Sequence, residues 1–114
     1  MINRALLTVH LKQPFVDWIN AADPTSMKGG EITLLEANDD RPAFLIHEDA
    51  AEYVEEWLEQ NFIPLFEDVL EQWYIDDSLW PQDRTLDLFQ KWCSVEIHSM
   101  VFDTVDEPIV DDDY

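Results

Sequence analysis

Residues 49–73 read DAAEYVEEWLEQNFIPLFEDVLEQW. Apolar side chains recur there at Ala50, Val54, Trp57, Leu58, Phe62, Leu65, Phe66, Val69, Leu70 and Trp73. Steps of three and four residues place them along one stripe of a helix. Glu52, Glu55, Glu56, Glu59, Glu67, Asp68 and Glu71 fall on the opposite side and form an acidic, solvated back. Asp49-Ala50-Ala51-Glu52 has the form of a capping box, so the helix is predicted to start at Asp49. Pro64 lacks an N–H and crowds the carbonyl of Gln60, which predicts a kink or break near Asn61 and two helices sharing one face. An apolar stripe this wide needs a second layer to cover.

The flanking sequence supplies that layer. Upstream, Ala5 to Lys12 alternates, with Leu7, Val9 and Leu11 on one side and Thr8, His10 and Lys12 on the other, the period of a half-buried strand. Pro14 suits the first turn of a short helix burying Phe15, Val16, Trp18 and Ile19. Asp23-Pro24-Thr25-Ser26 and Gly29-Gly30 read as turns. Ile32 to Leu35 and Ala43 to His47 read as two strands of an antiparallel hairpin joined through Asn38-Asp39-Asp40-Arg41-Pro42. Downstream, Leu79 and Trp80 anchor a loop. Thr85 or Asp83 caps a last helix carrying Leu86, Leu88, Phe89 and Trp92. Ser94 to Phe102 alternates again as a fourth strand. The expected fold is α+β: a two-layer domain over residues 1–102, with helices on one face of a four-stranded, mostly antiparallel sheet. Its element order is β-α-β-β-α-α-α-β. Residues 103–114 hold six acids and no base, and read as a mobile tail.

Charge narrows the function. The 114 residues include 26 acids and 6 bases, a net charge of −20, yet 46% are apolar and 12% aromatic, too many for a disordered chain. Nucleic acid is a poor ligand for such a surface, because binding phosphates needs Lys and Arg to release counterions. An anionic membrane is disfavoured for the same reason. A basic protein is the expected partner. The N-terminal residues lack the apolar core of a signal peptide and no run of apolar residues is long enough to span a bilayer, so the cytoplasm is the expected compartment. The single cysteine, Cys93, reads as a small hydrophobe rather than a nucleophile.

No catalytic pattern is present: two adjacent glycines make neither a phosphate loop nor a dinucleotide fingerprint, and His47-Glu48 lacks the second histidine of a zinc-protease helix. The chain therefore reads as a non-enzymatic binding module without a cofactor. Three constellations remain. Strand parity puts His10, His47 and His98, with Glu96 and Thr8, on the sheet face away from the helices. Were their strands neighbours, the imidazoles and the Glu96 carboxylate could hold a divalent metal or a small molecule. The acidic helix back, Glu52, Glu55, Glu56, Glu59, Glu67, Asp68 and Glu71, could face a basic partner, or could mimic DNA phosphates in the groove of a nucleic-acid-binding protein. Trp18, Trp57, Trp73, Trp80 and Trp92 read chiefly as core. The alternative is an exposed aromatic patch, shared by two copies in a homodimer.

Trp80-Pro81, Arg84-Thr85, Phe89, Trp92, Val95-Glu96 and His98-Ser99, together with Ala5-Leu6-Leu7 and Gln13-Pro14-Phe15-Val16-Asp17-Trp18, resemble a family of small, acidic, single-domain bacterial proteins of unknown role. The resemblance implies a bacterial cytoplasmic protein and transfers no catalytic residue. Arg84 is expected to pair with a nearby acid such as Asp83 or Asp87.

Overall fold

A computed structural model of the chain describes residues 1–22 and 31–111. Strand β1 (Arg4–Leu11) lies at the centre of a three-stranded antiparallel sheet, between β2 (Ala43–His47) and β3 (Cys93–His98). Its alternation works as the sequence predicts. Ala5, Leu7, Val9 and Leu11 are buried, while Leu6, Thr8 and His10 on the other side are only half-buried. The pairings Leu7↔Phe44 and Ala5↔Ile46 on one flank, and Leu7↔Ile97, Val9↔Val95 and Leu11↔Cys93 on the other, put the apolar members of all three strands on one face.

Helices cover that face. Helix α1 (Gln13–Ala22) carries Pro14 in its first turn and buries Phe15, Val16 and Ile19. After the short α2 (Leu34–Ala37) come α3 (Val54–Glu71) and α4 (Leu86–Trp92), the latter capped by Thr85, whose hydroxyl accepts the Leu88 N–H. Leu58, Leu65, Phe66, Val69 and Leu70 of α3 join Phe89 of α4 in one continuous core. The architecture is α+β in two layers. Among the described residues no polar or charged side chain is buried.

Among the described residues only three strands form, where four are expected. The stretch from Ile32 to Leu35 is not a strand, because Thr33-Leu34-Leu35-Glu36 is itself a capping box. The Thr33 hydroxyl accepts the Glu36 N–H at 3.1 Å, and the Glu36 carboxylate accepts the Thr33 N–H at 3.1 Å. This fixes one turn of α2, and the predicted hairpin is replaced by pairing of β2 with β1. Two asparagine side chains supply what a strand backbone would have supplied. Asn38 accepts the Leu11 N–H at 2.8 Å and donates to the Leu11 carbonyl at 3.0 Å; Asn20 does the same for Ile32, at 2.9 and 3.0 Å.

Two further expectations are corrected. The box predicted at Asp49 is a 3₁₀ turn, Glu48–Glu52, entered through the His47 ring, whose Nδ1 accepts the Asp49 N–H. The long helix begins only at Val54, and Glu52 lies outside it. Helix α3 then runs unbroken through Pro64 rather than dividing in two. Gln60, Ile63 and Pro64 are all exposed, so water can take the carbonyl that the proline leaves unpaired. Pro64→Ala should therefore raise stability, by about 2 kcal/mol: a helix-interior proline costs ~3, of which its stiffening of the unfolded chain returns up to ~1. A higher urea midpoint with unchanged slope is the expected readout.

Strand β3 ends at His98 rather than Phe102, although the Val101 carbonyl still accepts the Ile2 N–H at 2.8 Å. Residues 103–111 are exposed and carry no regular secondary structure. The predicted turns at Asp23–Ser26 and Gly29–Gly30 lie outside the described residues.

Candidate functional site

The open face of the sheet is built from the out-of-phase residues of each strand. His10 stands opposite Ser94, Glu96 opposite Thr8, His98 opposite Leu6 and His47 opposite Arg4. Parity thus places all three histidines on this face, as expected. The topology gathers only two of them. Glu96 lies between His10 and His98, with Oε1 at 3.0 Å from His10 Nε2 and Oε2 at 3.8 Å from His98 Nε2. Arg41 Nη1 lies against both ring nitrogens of His10, 2.7 Å from Nδ1 and 2.6 Å from Nε2. His47 belongs to the opposite edge strand, and its ring serves the 3₁₀ turn, 3.7 Å from Asp49 Oδ2. Among the described residues no group of three or more His, Cys, Asp or Glu side chains is arranged to hold a metal ion. His47 does not join the other candidate ligands.

The acidic back of the helix is less uniform than its spacing suggests. Glu55, Glu56, Glu59, Asp68 and Glu71 are exposed on α3, and Glu52 is exposed on the preceding turn. Glu67 is only partly exposed: its Oε2 lies 3.1 Å from Arg84 Nη2. Arg84 also donates to the Pro81 carbonyl at 2.7 Å and stands 5.8 Å from the centre of the Trp80 ring. Its acid partner is therefore Glu67 across the helix packing, not Asp83 or Asp87. Asp87 pairs one turn along α4 with Lys91, at 3.0 Å.

None of the five tryptophans is an exposed patch. Trp18, Trp57, Trp73, Trp80 and Trp92 all pack, half-buried, against the core. The Trp18 and Trp80 indoles donate to the carbonyls of Leu79 and Tyr74 at 2.9 and 2.7 Å. Among the described residues the exposed aromatic rings are instead Tyr53, 56% accessible, and Phe102.

Tyr53 is the residue that periodicity missed. It links the 3₁₀ turn to α3 with φ −133° and ψ 45°, belonging to neither. The change of direction there turns its ring outward. Two shallow depressions meet at it. One, of about 300 Å³, is lined by Glu52, Tyr53, Glu55 and Glu56 together with Ala51 and Val54. The other, of about 240 Å³, shares Tyr53 and Glu56 and adds Asp49, His47 and Trp57 among its walls. An aromatic face within reach of several carboxylates is chemistry suited to an ammonium or guanidinium group. Spacing gave no signal of this, because Tyr53 stands three residues after Ala50 and four before Trp57, the steps of a single helical stripe.

Among the described residues no helix is long and apolar enough to cross a membrane. No family model matches the chain, and no curated protein or solved structure matches it either.

Proposed function

We propose that this chain is a non-enzymatic binding module for a basic protein, and that the Tyr53 depressions receive a lysine or arginine side chain of that partner. The observation that carries this reading is an exposed ring set between two hollows walled by Asp49, Glu52, Glu55 and Glu56. The surrounding carboxylates of α3 and the net charge of −20 supply long-range attraction, and the ring supplies the short-range contact. Cation–π contacts are worth ~0.5–2 kcal/mol, so Tyr53→Ala should weaken binding of a basic ligand by roughly twofold to thirtyfold.

The test is an amide-shift NMR titration of the full chain with a short, unstructured Lys/Arg peptide. The expected result is a set of saturable shifts concentrated at Asp49 to Gln60, lost in Tyr53→Ala and weakened by added salt. Shifts spread evenly over all acidic segments, or a titration unaffected by Tyr53→Ala, would overturn the reading.

A further inference from the structure

We propose that the open sheet face binds the segment Phe102–Asp111 of a second copy, closing a two-fold dimer. The strand residues on this face include a single acid, Glu96. Its apolar part lies on the β1/β2 side: Leu45, 46% accessible, stands opposite Leu6, with Ala43 opposite Thr8 in the next row, while His98 and Glu96 complete these rows on β3. Arg4 marks one end, and Arg41 beside His10 marks the other. Among the described residues neither arginine has a carboxylate partner, and the face's one acid, Glu96, is engaged by His10 and His98.

The segment is the complement. Phe102, Val105, Ile109 and Val110 are 59–73% accessible, an unusual run of large apolar groups left in water. Asp103, Asp106, Glu107 and Asp111 are interleaved with them, and residues 102–111 include no base. Its only described hydrogen bond from a backbone N–H is local, from Val105 to Asp103 Oδ1 at 2.9 Å. Ten extended residues span about 33 Å and the eight of β1 about 26 Å, so the segment can cross the whole face. Each copy offers one face and one segment, which is the self-complementary arrangement a two-fold dimer needs.

Two chains of charge −20 repel at long range, but beyond roughly 10 Å that repulsion is screened at 0.1 M salt, while groups in contact are not. Dimerisation should therefore strengthen from low to physiological salt, opposite to the peptide binding at Tyr53, so the two readings fail separately. The experiment is light-scattering mass determination from micromolar to millimolar protein, at low and physiological salt. The expected result is a rise toward twice the monomer mass, abolished by Leu45→Asp on the face and equally by the double change Ile109→Asp, Val110→Asp on the segment. Circular dichroism of each variant should match the parent, since both sites lie outside the core. A chain that stays monomeric throughout overturns the proposal. So does a dimer that survives either variant, or one that weakens as salt rises.

Discussion

Phe66→Ala should remove about 3–5 kcal/mol of folding stability, the range for truncating a buried phenylalanine. The side chain is fully buried, and its ring meets Phe89 edge-on at 5.4 Å and Trp92 at 6.1 Å. It lies where α3 meets α4, so the cavity would be walled by aromatic rings too rigid to collapse into it. The loss is a large fraction of the ~5–15 kcal/mol that a whole domain possesses. A fall in the urea midpoint is the measurement. Phe62→Ala, four residues earlier on the same helix but only partly buried, should cost less. If the two substitutions cost the same, the packing order described for α3 is wrong.

Stability should also fall steeply above pH 9 because of Cys93. Burial at the start of β3 pushes its thiol from 9.0 up to about 12, with only partial opposition from the Lys12 charge. Between those values the unfolded chain has released the proton and the folded chain keeps it. The unfolded state thus binds fewer protons, so stability declines as pH rises, by up to about 1.4 kcal/mol per pH unit within that window. Below it the thiol is neutral in both states and contributes no pH dependence. Comparing parent and Cys93→Ala isolates the effect from lysine and tyrosine titrations: the parent curve should fall faster from pH 9 upward. Curves that stay parallel would show that the thiol ionises as freely in the fold as in water. The same burial predicts that thiol reagents modify Cys93 only in denaturant.

The elements readable from sequence were those whose pattern is long enough to have one solution. Eight alternating residues in β1 and the apolar stripe of α3 admit no other period. Ile32 to Leu35 is too short to distinguish: two alternating apolar residues fit a strand, and the same letters contain the Thr33/Glu36 box that made them a helical turn. The start of α3 was displaced because Asp49 and Glu52 satisfy the box by spacing, while His47 supplies the cap. The parity of the histidines was legible, since it is a property of single strands. Their grouping was not, since it depends on strand order, and with β1 in the middle His47 stands on the far flank from His98. Tyr53 was illegible for a different reason. Its exposure comes from a backbone turn between two helical segments, which periodicity treats as one.

The central position of β1 also bears on how the molecule is made. Leu7 and Val9 leave the ribosome long before their neighbours Ile97 and Val95 are added. At roughly 5–20 residues per second, the middle strand waits for seconds with one flank unpaired. Closure of the sheet is therefore a late event in biosynthesis, and a nascent chain halted before Cys93 exposes the hydrogen-bonding edge that β3 was to cover.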